Sequence, residues 1–442
     1  MAKRVIVLAA LLALLDTAAA QAQASSGRGL AYLIPGLFGS AGLIVNSDTP
    51  LPSGEPHSAH FNSAFQRNFG PFNTALATQL AAVPLPTPAS GFTYGFDTAL
   101  GVFQRSTQSF GPILSARAET IGKKKFSLSV NYQSFRFDSI DGVDLGNLPA
   151  VFTHDGAAAG TGRADLVTTA NSIDLSVDQV AAFLPYGLAD RLDVSVAIPV
   201  VSTELNVVSV ATVQRIGTVD PRTHYFRDAR GGVSTIGRFA ASGSASGIGD
   251  IILQVKGTAF KRGATGLALA VDARLPTGSE EDLLGSGALG LKPFAALSLS
   301  HKRFSPHFNL AYQWNGKSIL AGFQQTGTGI VAEKSDLPDQ VLYAVGADLG
   351  VSQTLTLAFD ILGRRVIDSQ QLVPETFRAL DGQSTFPNIA FQPSSFNELD
   401  AAIGFKVNVA GRLLVDFNVL FKLNDSGLRD KVTPLLGIEY SF

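Results

Sequence analysis

The residues best equipped for chemistry are thinly spread. Six histidines and no cysteine are distributed over 442 residues. His57 and His60 form an H-x-x-H pair, but no cysteine or suitably placed carboxylate completes a ligand set. Asp138, Asp141 and Asp144 recur every third residue, which is not the spacing of a calcium loop. Nucleophilic catalysis needs a Ser, Thr or Cys beside a base that a third group orients. His154 and His224 fall in loops, His301 and His307 flank a short turn, and none shows a Ser/Asp arrangement or an H-x-S-N-G lipase signature. Gly247-Ile248-Gly249 reads as a strand entry and not a phosphate cradle, because no helix follows. The expectation is a protein with no catalytic residues, no metal and no cofactor.

A second set of residues is more informative because of its period. Lys256, Asp272, Arg274, Asp348, Asp360, Glu398, Asp400, Lys406, Asp416 and Lys422 each occupy the polar face of a segment whose alternate residues are apolar. On a lipid-facing side such charges cost up to ~2 to 4 kcal/mol each near the midplane. Their period therefore places them inside a barrel, where they form a polar pathway, a latch on a plug, or cross-strand pairs that stiffen the wall. Arg364 and Arg365 read as lying near the outer end of their strand, where a lipopolysaccharide phosphate contact and a pore role stand as equal alternatives.

The elements that would carry these residues are strands. Apolar residues alternate at Phe126 to Tyr132, Ile173 to Val177, Leu192 to Val200, Ile251 to Val255 and Leu267 to Leu275. The pattern continues at 297–299, 308–314, 341–349, 355–361, 399–407 and 413–421, and short and long connections alternate between the segments. The last segment carries Leu436, Ile438, Tyr440 and Phe442 on one face, a pattern resembling the closing strand and assembly signal of outer-membrane barrels. With 111–120 and 91–96 counted as strands, the expected number is about fourteen, with twelve as the alternative.

Composition sets the class. Charged residues make up 16%, the net charge is -2, and Gly (44) and Phe (30) far outnumber Tyr (8) and Trp (1). A near-neutral chain of this kind is not a nucleic-acid binder. Mean hydropathy is +0.21, yet no run is convincingly long enough for a membrane helix; the nearest, residues 29–45, is cut by Pro35 and several glycines. Alternating strands reconcile the two observations. Residues 1–22, with Lys3 and Arg4, an apolar run and an A-x-A site, read as a cleaved signal peptide. Residues 23–90 do not alternate and include a helix-like piece at 72–82; irregular backbone cannot face lipid, so the segment either folds inside the pore as a plug, the preferred reading, or hangs in the periplasm.

Three stretches carry a resemblance: L-P-Y-G-L-A-D-R-L-D-V at 184–194, G-I-G-D-I at 247–251, and A-R-L-P-T-G at 273–278 followed by G-S-G at 285–287. They resemble the outer-membrane transporter-like family associated with the meta-pathway of phenol degradation and, more distantly, the long-chain fatty-acid transporter type, a fourteen-stranded barrel with an N-terminal plug. The N-P-A motif of that plug is missing here.

The expected fold is all-β: an antiparallel transmembrane β-barrel over 91–442 with an irregular, partly helical plug-like segment at 23–90. The expected location is the bacterial outer membrane, and the expected partners are outer-membrane lipid, lipopolysaccharide, the barrel assembly machinery and a small-molecule substrate. The expected function is passive or gated uptake of small hydrophobic compounds, a class that includes aromatic ones; the alternatives are a general porin for polar solutes and a structural or adhesive barrel.

Overall fold

The computed structural model describes residues 29–39, 42–48, 61–62, 64–81, 94–97, 102–105, 109–154, 162–228, 230–301, 303–326 and 329–442. His57, His60 and residues 1–28 lie outside these, so the metal pair and the signal peptide considered above are not described.

Twelve antiparallel strands close into a barrel. They are β1 Ser127–Ile140, β2 Leu166–Ala189, β3 Leu192–Gln214, and β4, which runs in two pieces, Ile236–Ile248 and Ile251–Arg262. After them come β5 Thr265–Leu275, β6 Gly290–Leu299, β7 Phe304–Asn315, β8 Gln340–Gly350, β9 Leu355–Arg378, β10 Thr385–Ala410, β11 Leu413–Lys422 and β12 Val432–Ser441. Both pieces of β4 pair with β3, the first opposite 200–212 and the second opposite 192–197, so they count once round the wall. Closure is the pairing of β12 with β1, from Leu435 opposite Gln133 to Ser441 opposite Ser127. Phe442 stacks on Phe126 across this seam with ring centroids 4.1 Å apart.

The count is twelve and not fourteen for two physical reasons. Tyr94–Asp97 pairs only with Val102–Arg105, as a separate hairpin. Residues 111–120 run as extended chain inside the barrel, where their N–H groups find wall side chains in place of a ladder partner. Among the described residues no helix is long and apolar enough to cross a membrane.

The wall has a level at which inside and outside exchange character. Side chains alternate across a strand, so each face can be followed separately. On β3 the outward residues are Leu192, Val194, Val196, Ile198 and Val200, then Ser202, Glu204 and Asn206; the inward ones pass from Asp193 and Ser195 to Val201, Leu205 and Val207. The same exchange falls on one rung of neighbouring strands. Tyr132 opposes Val180, which opposes Val200, which opposes Ile248; one step beyond, Ser134 opposes Asp178, which opposes Ser202, which opposes Ser246. Towards the short turns the barrel is apolar outside and polar inside. Towards the long loops it is polar outside and filled with an apolar core.

That core is built around the N-terminal segment. Leu30–Tyr32 forms one 3-10 turn, and Leu33, Ile34, Leu37, Phe38, Leu43 and Val45 pack with wall residues such as Ile173, Leu175, Val177 and Leu205. The helix α1, Ala64–Ala81, adds Phe72, Leu76 and Ala77. It begins before the helix-like piece read from the sequence and continues through Pro71. Ile173, Leu175 and Val177, although they alternate as a lipid face would, therefore point inward.

Candidate functional site

Below the apolar core the bore holds two internal elements and the space between them. The lower element is the extended segment 109–121. Phe110 N–H donates to Thr356 Oγ1 (3.0 Å), Leu114 N–H to Asp360 (3.3 Å), Ala116 N–H to Asn309 (2.6 Å), Ala118 N–H to Ser298 (2.9 Å) and Ile121 N–H to Asp193 (2.9 Å). Lys256 Nζ and Thr258 Oγ1 donate back to the carbonyls of Glu119 and Ala118, each at 2.9 Å. Buried backbone polar groups must be paired, and here the barrel wall does the pairing. On the opposite side Ile113 and Leu114 pack with Ala402, Leu420 and Leu435, and Phe110 with Leu414. This strap thus touches wall residues from β3 round to β12 at the end where the short turns lie.

The strap passes into β1 through a tight turn at Gly122 (φ +95°) and Lys124 (φ 61°). Lys124 N–H donates to Gly187 O at 2.8 Å, and Gly187 N–H to Lys125 O at 2.9 Å. A Cβ on Gly187 would lie 1.9 Å from the carbonyl oxygen of Gly122, so the glycine of L-P-Y-G is what lets the turn dock.

Ser298, His307 and Asp348 form a linear arrangement that the sequence reading did not find. Ser298 Oγ lies 2.8 Å from His307 Nδ1, and His307 Nε2 lies 2.5 Å from Asp348. The Asp348 carboxylate can only accept, which assigns the ring hydrogen to Nε2; Nδ1 then accepts from Ser298 Oγ, whose oxygen in turn accepts from Ala118 N–H. The serine is fully buried and occupied by the strap, so this arrangement fastens the strap and offers no nucleophile to solvent.

The upper element is the end of α1. Arg274 Nη1 donates to Ala81 O (2.9 Å), while its Nη2 donates to Ala288 O (3.2 Å) and Asn315 (3.0 Å). Its Nε lies 3.6 Å from Asp250. Asp250 in turn accepts from Gly278 N–H (3.1 Å), Ser286 N–H (2.8 Å) and Ser286 Oγ (2.6 Å). G-I-G-D, A-R-L-P-T-G and G-S-G therefore meet in one junction, which folds residues 276–289 into the barrel and holds the helix end. A cation is favourable at a helix C-terminus. Arg364 also reaches Gln79 of the helix and Glu398 of the wall. It is mid-strand and buried, so the lipopolysaccharide reading of Arg364 is corrected; Arg365, its neighbour, faces outward.

The ten charged residues picked from their period have these places. Lys256 and Asp360 hold the strap directly, and Asp348 does so through His307. Arg274 holds the helix. Glu398 and Asp400 pair with Arg429, the former at 3.3 Å. Asp272 bonds Gln254 and Lys292, both at 2.8 Å. Lys406 and Asp416 oppose each other across β10 and β11. Lys422 binds Asp425 at 2.9 Å near the loop end. Asp138 lies 3.6 Å from Lys422, and Asp141 accepts from Gly427 and Leu372 N–H groups. Among the described residues no cluster of His, Asp and Glu is arranged to hold a metal. His224, paired with Asp165 at 2.7 Å, packs against His154 and Phe61 in the loop core.

Between helix end and strap lies a cavity of about 250 Å³. Gln79 and Ala81 border it on one side and Leu114, Ala116 and Arg117 on the other; Phe135, Phe183 and Phe294 add apolar wall, and Gln254, Asn309 and Gln313 polar wall.

These features define a closed β-barrel with an apolar outer band and an occupied, polar bore. Residues 150–359, which contain all three motif stretches, match the family model described as "Putative MetA-pathway of phenol degradation", the family that those stretches resemble. No curated protein matches the chain in sequence. Among solved structures, an outer membrane channel from Pseudomonas putida F1 aligns at 12% identity and TM-score 0.39, covering 74% of this chain and 98% of that one. The CymD monoaromatic hydrocarbon channel aligns at 11% and 0.36 (72% and 89%), and a Pseudomonas aeruginosa FadL homologue at 10% and 0.31 (73% and 89%).

Proposed function

We propose that the protein sits in the bacterial outer membrane and passes small hydrophobic compounds, aromatic ones among them, through a gated bore. One observation carries this reading: a small, partly apolar chamber is closed above by α1, whose end Arg274 and Arg364 hold, and below by the strap, which wall side chains hold through hydrogen bonds. Membrane insertion is supported by the apolar outer band, including Val255, Leu269, Leu310, Phe359 and Ile403, all well exposed; exposed apolar patches of this extent mark an interaction surface, and lipid is what a closed barrel offers it to. The phenol pathway named in the family description supports an aromatic substrate. A cavity of about 150 Å³ already admits benzene, so the chamber has room for one substituted ring. Residues 1–22 are read as the export signal and residues 23–90 as the movable plug.

The test is single-channel conductance of the mature chain in planar bilayers, beside a form lacking residues 23–90. The gated reading expects almost no current from the intact chain and a measurable rise after deletion, limited by the strap that remains. A large steady current from the intact chain would instead make it a general porin.

A further inference from the structure

We propose that the chamber takes compounds bearing a carboxylate on a small apolar body, with Arg117 of the strap as the anion's partner. This rests on the reading of the chamber as a station for small molecules and narrows what it selects. Arg117 lines the chamber and is 3% exposed. Its Nε and Nη2 are buried and have no hydrogen-bond partner, and among the described residues it has no ion pair.

Four of the other five cations round the chamber are matched. Lys292 has Asp272 at 2.8 Å, Arg274 has Asp250 at 3.6 Å, Arg364 has Glu398, and Arg429 has Glu398 at 3.3 Å. Lys256 is the second cation without an ion pair, and it spends one donor on Glu119 O. The acidic groups that act on Arg117 are Glu119, on the strap itself, and Asp193 of β3. Neither lines the chamber; Glu119 accepts from Ser300 at 2.7 Å and Asp193 from Ile121 N–H. Six cations against three carboxylates face the cavity; Asp250 and Glu398 offset three of the cations from behind the lining, which leaves Arg117 and Lys256 as the two without an ion pair among the described residues.

A buried guanidinium left unpaired is costly, and its fork suits a planar carboxylate. The facing wall of Leu114, Phe135, Phe183 and Phe294 suits an apolar ring. A neutral ring of the same size would fill the space and leave Arg117 unmatched. The two halves of the cavity together describe an aromatic or short aliphatic monocarboxylate.

Titration calorimetry on the whole mature chain in detergent, with benzoate and with benzyl alcohol, tests this. Benzoate should bind about tenfold or more tighter than the alcohol. Arg117→Gln should reduce that preference to about twofold or less, and Arg117→Lys should keep part of it, both variants retaining the gel shift between unheated and heated samples. Since Arg117 makes no hydrogen bond through Nε or Nη2, its replacement removes no fastening through those atoms. Benzyl alcohol binding as tightly as benzoate to the wild-type chain would overturn the anion proposal and leave the chamber reading standing. Binding of neither compound would overturn the chamber reading itself. Survival of the preference in folded Arg117→Gln would assign the anion to another cation and sink the role given to Arg117.

Discussion

Arg274 Nη1 donates to the carbonyl oxygen of Ala81 at 2.9 Å, tying the wall of the barrel to the last residue of the internal helix. The same guanidinium serves Ala288, Asn315 and Asp250, so one side chain couples the helix to the infolded loop. Arg274→Gln should therefore do two things at once. It leaves Asp250 without its buried cation and costs about 2 to 4 kcal/mol of stability, read as a lower thermal midpoint. It also frees the helix end, read as more frequent current openings in bilayers. Arg274→Lys should fall between, because an ammonium cannot reproduce the planar fork. An unchanged current in a destabilised Gln variant would separate the junction from gating.

Gly187→Ala isolates the lower closure. The added methyl meets the Gly122 carbonyl at 1.9 Å, and backbone does not yield as a flexible side chain does. Overpacking of this kind costs about 1 to 3 kcal/mol or more. The expected outcome is a barrel that still forms but whose residues 109–125 exchange amide hydrogen faster, with the loop-side amides of β2 and β3 unaffected.

The barrel was legible in the sequence because period-two alternation needs only the strand and its two environments. Leu192 to Val200 and Leu267 to Leu275 read as strands and are strands. Which face looks where was less legible: Ile173, Leu175 and Val177 alternate just as Leu192 and Val194 do, yet face the opposite way, because alternation reports a difference between faces and not its sign. The strap was misread as a strand for a related cause, since 111–120 is extended chain whose partners, Asp193, Ser298, Asn309, Thr356 and Asp360, come from strands distant in sequence. The histidine linkage was hidden similarly: Ser298 and His307 face each other across β6 and β7, and Asp348 arrives only with β8. Arg274 and Lys256 stand in the sequence as charges at polar-face positions, as do Lys406 and Asp416, and nothing local distinguishes residues that hold the internal elements from residues that oppose each other across the wall.

Acid should loosen the loop-side seal through Asp48. Its carboxylate accepts from Tyr225 Oη at 2.7 Å and pairs with Arg222; the Tyr225 hydrogen bond first, and then Arg222, hold its pKa below the ordinary 3.8, while the same bond raises that of Tyr225 above 10.0. A depressed carboxylate contributes stability above its unfolded value and loses it as pH falls through the folded one. A raised phenol contributes below its unfolded value and loses that contribution as pH rises past the folded one. The contact between residues 46–48 and 222–225 is then full from about pH 5 to 9 and weakens at both extremes. Protection of the Asp48 amide against hydrogen exchange, relative to its intrinsic rate at each pH, should fall below about pH 4 as the N–H that donates to Arg222 O at 2.9 Å is released, and Asp48→Asn should remove that acid dependence.

The exchange of character at the rung between Val200 and Ser202 predicts where the hydrocarbon ends. Val255, half exposed on β4, belongs to the apolar band, whereas Ser202 lies one outward position past it. If lipid covers the band, Val255→Arg should cost about 2 to 4 kcal/mol of folding free energy in bilayers and Ser202→Arg only about 0 to 1. In a protein whose outer face met water the two substitutions would cost alike, within about 0.5 kcal/mol for surface sites. Denaturant titration of both variants in liposomes distinguishes these outcomes. The comparison is internal because both side chains point outward from neighbouring strands, so a difference between them measures depth and not a general effect of added charge.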